Sequence, residues 1–562
     1  MYDTLIANAL ILDGCGTGSY VADLAVKDGL IADIGHGLGV AAEVIDATGL
    51  ALMPGIIDGH THFDAQLTWD PMADPSPALG VTTVVIGNCG FTIAPCRPED
   101  RDLTLRNLTH VEGMSLEALR QGVVWEFDSF PEYLDFLDRR GVGPNVAAFV
   151  GHSGVRSFVM GEDASKRAAT DDEIAQMARI VREALDAGAV GFSSTTADAH
   201  SGENGIPMPS RLADMREFEA LSGELRNAGT GVFMITRGNS TSIASLEELT
   251  RNHGRTTLVS GFLHNPANPQ RHVKLLAELK AARSRGHRIF GEVTCCPLTM
   301  EFTLESAYVF EGYPAWRPAM QAHGGEDFRQ VFRDESFRKA VKANLLELKG
   351  TRIFNSEWDK LNIVAVANPG NSRFEGMTVA AVAAQSGQHP LDCMLDLALS
   401  EDLKTLFTAV LLNSDTQEVA KIITDPENYI TLSDAGAHTT FFCDAGFGLH
   451  LLGHWVRDLK VMSLEHAVSR LTSQPAALFG IRQRGQLKSG YAADLLLFDP
   501  KTIGRGPTKR VHDLPAGAAR LVTPSIGIHG VWVNGVRLVT HKDQGIAGRD
   551  RLPGKLLRAF VH

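Results

Sequence analysis

The feature that most limits the fold of this chain is a recurrence. From residue 50 onward, short β-rich runs come back eight times, each closing on small or polar residues: "ALMPGIIDGHTH", "VTTVVIGNCG", "NVAAFVGHSG", "AVGFSSTT", "GVFMITRG", "TTLVSGFLHN", "RIFGEVTCC" and "YITLSDAGAH". Apolarity within the runs is continuous rather than alternating. That is the pattern of strands covered on both faces, hence of a parallel sheet with helices outside it. Amphipathic segments separate most of the runs: "TDDEIAQMARIVREALDAG" starts at a Thr170 cap and stops at a glycine, and "RHVKLLAELKAARSRG" has the same character. Eight such units predict an α/β fold, a (β/α)8 TIM-like barrel, in which the residues closing each strand carry the function.

The stretch of about 299–421, between the seventh and eighth runs, is too long for one connection and predicts an inserted subdomain or lid. The chain ends read as short strands broken by turns, "TLIANALILDG" and "DLAVKDGLIADIG" before the barrel, "YAADLLLFDP" and "GIHGVWVNGVRLV" after it. They predict one small β-sandwich formed by both termini. The expected division is residues 1–53 and 481–562 for the sandwich and tail, and 54–480 for the barrel with its insertion.

Hydrophobic residues make up 44% of the 562 and charged residues 21%, with no apolar run of membrane-spanning length, so a globular protein without a membrane partner is expected. A net charge of -13 argues against a nucleic-acid partner. The first residues, "MYDTLIANALILDG", lack the layout of an export signal, and seven cysteines without repeating spacing disfavour a disulfide framework. A cytoplasmic, reducing location is the expectation. A homo-oligomer stays open.

Alternate residues of a strand face the same way, so His60 and His62 of "DGHTHF" can aim both imidazoles at one point in the barrel mouth. Barrel closure makes the first and last strands neighbours, which brings Asp434 of "YITLSDAGAH" to the same point as third ligand or base. Cys89 closes the second run, where a thiolate is a good zinc ligand, although a buried free cysteine is more commonly a small hydrophobe. His152, His200 and His264 each follow a strand, as ligands, substrate contacts or loop residues, and His438 is a further substrate contact. Glu292, inside "IFGEVTCC", either meets a cation or points into the polar mouth, because burying it unpaired is costly.

Taken together, "PGIIDGHTHFD", "GVTTVVIGNCGFTIAP", "VGHSGVR", "LSDAGAH", "RGQLKSGYAADLLLFDP" and "GVWVNGV" resemble the amidohydrolase superfamily, and within it the D-aminoacylase (N-acyl-D-amino-acid deacylase) branch. The resemblance runs over nearly the whole chain. It implies a zinc-dependent hydrolase cleaving the amide C–N bond of a small N-acylated amino compound, an N-acyl-D-amino acid, by activated water. It also implies that Cys89 takes the place of the carboxylated lysine of other superfamily members, since "AVGFSSTT" has no lysine. Two departures stand out. The fifth strand of typical D-aminoacylases ends in a metal-binding histidine within a THMR-like segment, whereas "FMITRGN" puts Ile235 there; the strand-six motif keeps one histidine, His264, of an adjacent pair.

The reading that follows is an ion held by His60, His62, Asp434 and Cys89, with His264 as a further ligand candidate, one ion favoured over two, and Asp434 as base. Arg211 and Arg237 are candidates for a substrate carboxylate. Two alternatives stay open: hydrolysis of a cyclic amide, as in dihydroorotase- and hydantoinase-like enzymes, and a non-catalytic scaffold.

Overall fold

Continuous burial is what turns the eight runs into one parallel sheet. In the computed structural model, which describes residues 1–202, 205–347, 354–439, 445–540 and 552–561, each run supplies a strand. They are β1 (Ile56–Asp58), β2 (Val81–Ile86), β3 (Asn145–Gly151), β4 (Gly191–Thr195), β5 (Val232–Thr236), β6 (Thr256–Ser260), β7 (Ile289–Val293) and β8 (Asn428–Ile430). All are parallel and pair in chain order. Every residue of β2, β3, β4 and β6 is buried, as strands between an inner core and an outer helical layer must be.

The sheet closes on itself just beyond β1 and β8. His60–Thr61 pairs in parallel with Leu432–Ala435; the Gly59 N–H donates to the Thr431 carbonyl at 3.0 Å and the His62 N–H to that of Ala435 at 2.7 Å. Outside, the helix Asp171–Asp186 starts at the Thr170 cap foreseen from its sequence. Thr170 accepts from the Glu173 N–H while the Glu173 carboxylate accepts from the Thr170 N–H, and this reciprocal pair satisfies two amides that the first turn leaves free.

Between β7 and β8 the chain builds a further layer with a core of its own. An antiparallel sheet orders Leu298–Phe302, Leu406–Leu412 and Leu361–Ala365, and short helices bring Trp316, Phe332 and Met394 into one core with Phe407 of that sheet.

The two chain ends share one eight-stranded sheet, reaching from Val536–Thr540 through Leu495–Phe498 and Tyr2–Ile11 to Leu30–Gly35. Tyr2–Ile11 offers successive parts of one edge to Ala41–Asp46 and Ala51–Pro54, and this split folds the sheet over its own core. Strand periodicity then divides the side chains: Leu495, Leu497 and Trp532 enter that small core with Ile6 and Leu24, while Leu496, Phe498 and Val531 enter the barrel core. Cys15, Cys89, Cys96, Cys295, Cys296 and Cys393 are free, and Cys443 lies outside the described residues. Among the described residues no helix is long and apolar enough to cross a membrane.

A buried polar knot joins the terminal sheet to the foot of the barrel. The Asp494 carboxylate takes an ion pair from Arg484, a hydrogen bond from Asn145 Nδ2 at 3.0 Å and one from the Asn534 N–H at 2.7 Å; Asn534 Nδ2 in turn donates to Asn145 Oδ1 at 2.9 Å. Asp494 is 4% exposed. Arg484→Met strands that carboxylate and is expected to cost about 3–5 kcal/mol, read as a lower urea midpoint. An unchanged midpoint would show that the knot does not couple the two layers.

Candidate metal centre

Three local devices bring the donor side chains together. The first is the β1 extension, whose two-residue period sends His60 and His62 to one side of the mouth. Their rings are tilted at 59° with centroids 5.3 Å apart. The second is the turn after β2. Gly87, Cys89 and Gly90 all have positive φ (79°, 55° and 78°), and a side chain at Gly87 would meet the Phe149 carbonyl at 2.4 Å, so glycine is required there. Asp64 accepts from the Gly87 N–H at 3.0 Å, Ser193 Oγ accepts from that of Gly90 at 3.1 Å, and Asn88 Nδ2 donates to the Val85 carbonyl at 2.9 Å. The bonds at 87 and 90 hold Cys89 in its left-handed conformation. The third is a register shift in the closing pair: Leu432 faces His60 and Ala435 faces Thr61, so Ser433 and Asp434 are extra residues. The shift, with Asp434 at φ 59°, aims the carboxylate at the histidines.

Donor atoms of His60, His62 and Cys89 all lie within 4.8 Å of one another, the one such group among the described residues. Cys89 Sγ is 3.4 Å from His60 Nε2. Asp434 Oδ1 is 3.1 Å from His62 Nε2 and 3.5 Å from His60 Nε2. Behind them, Glu292 Oε2 holds His60 Nδ1 at 2.7 Å, and Thr431 Oγ1 donates to Glu292 Oε1 at 2.9 Å. Glu112 Oε1 lies 3.2 Å from His62 Nδ1. A carboxylate bonded to the far ring nitrogen fixes tautomer and basicity in a metal-ligating histidine, as Glu292 does for His60, whereas Glu112 stands beside His62 without a hydrogen bond to its Nδ1.

The electrostatics of the cluster call for a cation. Burial pushes the Cys89 thiol up, but His60 and His62 outweigh it and bring it down to about 7. Burial works against protonated rings, yet Glu292 and Cys89 raise His60, and Glu112 and Asp434 raise His62, well above the ordinary imidazole value. Asp434 is drawn far below the usual carboxylate range by His62, His60 and His438, against its own burial. The surrounding carboxylates thus favour positive charge at His60 and His62, a demand that a divalent ion would meet.

The structure sends several of the sequence candidates elsewhere. Glu292 is fully buried and braces His60 rather than lining the mouth cavity. His152 is also fully buried, bonded to Ser194 Oγ at 2.8 Å and Glu217 Oε1 at 2.7 Å, and serves the packing of β4 on its outer helix. His264 turns its ring against His272, with its backbone tied to Asn413, and does not reach the cluster. Arg211 braces the loop around His200 through the His200 carbonyl and Ser201. Arg237 bonds the Thr241 carbonyl and lines a separate small cavity. His200 and His438 do line the mouth cavity of about 870 Å³, together with His60, Cys89 and Asp434. Burial lowers His200 to about 3 and His438 to about 4, so both rings are neutral at neutral pH.

The β5 departure also changes meaning. Phe233 packs on Phe218 and His253 of the outer helices, so Ile235, two residues on, faces outward with it. The residue that β5 presents to the site is Thr236, with Oγ1 3.0 Å from Cys89 Sγ; β6 presents Ser260, with Oγ 3.1 Å from His60 Nδ1. Glu112, Thr236 and Ser260 were not foreseen. A hydroxyl closing a strand was the available signal for the latter two, and Glu112 gave none.

Two imidazoles, a thiol and a carboxylate converging where barrel strands end define a metal-binding barrel site. The amidohydrolase family matches residues 43–539, and the chain belongs to it. An uncharacterised protein of Mycobacterium tuberculosis is 30% identical over 537 residues, 89% of this chain and 85% of the relative. D-aminoacylase of Alcaligenes xylosoxydans xylosoxydans is 29% identical over 543 residues, 95% and 94% of the two chains. The crystal structure of N-acyl-D-glutamate deacylase from Bordetella bronchiseptica, complexed with zinc and a phosphonate inhibitor, matches with a TM-score of 0.67 at 26% identity, over 99% of this chain and 100% of that one.

If Glu292 fixes the His60 ring, Glu292→Gln should weaken divalent-metal affinity by about 10–100-fold without changing stoichiometry, measured by chelator competition. Unchanged affinity would remove Glu292 from the centre.

Proposed function

We propose that this chain is a zinc-dependent deacylase of N-acyl-D-amino acids, with one ion held by His60, His62, Cys89 and Asp434. The observation that carries it is the convergence of those donors on a cavity of about 870 Å³, backed by Glu112 and Glu292. The deacylase names of the relatives support the bond and the substrate class.

Zinc, when bound, supplies Lewis acidity and lowers the pKa of water toward about 7. The chain's own residues do the rest. Asp434, with its side chain 23% exposed to the cavity, is the group that takes the proton of the attacking water and returns it to the leaving amine. His438 Nε2 lies 3.7 Å from Asp434 Oδ2 as part of its polar surround, Glu292 holds the His60 imidazole through Nδ1, and Glu112 stands beside His62. His200 stands at the mouth, bonded to Thr195 Oγ1 at 2.8 Å and edge-on to Phe91, as a substrate contact. Thr236 and Ser260 are neutral hydroxyls where a second ion would need stronger donors, which favours a single ion. Residues 299–421 supply Met300, Phe302 and Val309 to the cavity wall and act as its lid. The fold is read as three parts, 1–53 with 481–562, and 54–480. A cytoplasmic location fits seven cysteines without repeating spacing, and the net charge of -13 argues against nucleic-acid partners.

A panel of N-acyl-D- and N-acyl-L-amino acids, cyclic imides and hydantoins tests the assignment; turnover of cyclic amides alone would replace it. Chelation should abolish turnover and zinc should restore it, whereas undiminished activity in verified metal-free protein would sink the mechanism. Asp434→Asn should lower kcat by on the order of 10²–10⁴ or more, since ligation also suffers. Near-normal kcat would move the base elsewhere.

A further inference from the structure

A substrate that carries a carboxylate needs a cation in this cavity, and neither arginine singled out from the sequence lines it. Among the described residues lining it, one Lys or Arg is present, Arg510. It belongs to a hairpin of the C-terminal segment, Lys509–Val511 paired with Arg520–Val522, in which Arg510 stands opposite Leu521. The Leu521 N–H donates to the Thr439 carbonyl at 2.7 Å. Thr439 follows His438, which lies 3.7 Å from Asp434, so the hairpin is fastened to the loop that carries the base. Arg520 anchors it from the other side through an ion pair with Asp74 and braces the hairpin's own loop through Asp513. The guanidinium of Arg510 lines the cavity and pairs there with Glu301 of the insertion strand Leu298–Phe302. Glu301 lines the same cavity, and its side chain is 10% exposed against 33% for Arg510.

We propose that Arg510 is the specificity-determining residue that binds the substrate carboxylate, and that Glu301 holds the same place until substrate arrives. This rests on the deacylase reading above and adds the end of the molecule by which the substrate is held. A guanidinium fork accepts either carboxylate with similar geometry, so binding is an exchange of partners. The cavity also sets a charge condition: Glu301, Glu311 and Asp434 all line it, so an anionic substrate is repelled unless Arg510 faces it. Glu301 is thus a competitor for Arg510, which sets a threshold that uncharged amides do not overcome in the same way.

The test compares the best N-acyl-D-amino acid of the panel with its C-terminal carboxamide, using the zinc-loaded protein. Arg510→Ala should lower kcat/KM for the acid by on the order of 10²-fold, mainly through KM, and change the carboxamide less than about 3-fold. Glu301→Gln, which breaks the same ion pair, should instead lower KM for the acid. A merely structural pair would make both variants worse on both substrates, and that result overturns the proposal, as does an Arg510→Ala variant with unchanged KM for the acid. If the unaltered protein cleaves neither compound, the deacylase reading itself fails. If it cleaves acid and carboxamide equally well, that reading stands and the role of Arg510 is refuted.

Discussion

The site exists because the barrel closes between its first and last strands. His62 and Asp434 are 372 residues apart in the chain, and they lie within 3.1 Å because His60–Thr61 and Leu432–Ala435 pair as the final rung of the sheet. A sheet of eight twisted parallel strands reaches its own first edge, and at that seam the pairing slips to leave Ser433 and Asp434 unmatched. A regular ladder would have buried the aspartate in strand pairing or turned it outward. The irregularity converts a structural joint into a place where a carboxylate faces two imidazoles.

Closure alone would leave an expensive arrangement. Glu112, Glu292 and Asp434 surround two histidines and a cysteine, and burial drives Glu112 well above the usual carboxylate range. Such a group of buried acids is tolerable only around positive charge. The same demand that raises His60 and His62 in the bare protein is what makes the cluster a receptor for a divalent ion. The outer parts follow the same logic of fastening to the mouth, since both the insertion and the C-terminal hairpin reach the cavity through charged pairs rather than through further barrel strands.

How much of this was legible in the sequence depends on the period of each element. Continuous apolar runs gave away β2, β3 and β4, and the alternation of His60 and His62 on one strand edge needed only the two-residue repeat. Asp434 could be related to them because closure is a property of the whole barrel. Ile235 misled because a one-residue step on a strand reverses the side-chain direction, and Thr236 is the residue that meets Cys89. His152 and His264 illustrate a similar limit: both follow strands, but one turns to Glu217 and the other to His272, choices made by helices packed outside the barrel. Glu112 and Arg510 come from connections with no periodic signal, and tertiary packing alone brings them to the mouth.

The central claim is that one ion sits between His60, His62, Asp434 and Cys89, and that Thr236 and Ser260 leave no second seat. The direct measurement is metal content per chain in purified protein, joined to X-ray absorption at the zinc edge. The account predicts one zinc per chain with one sulfur among its bound atoms, lost in Cys89→Ser. Two fully occupied ions per chain, or a single ion with no bound sulfur, would contradict it.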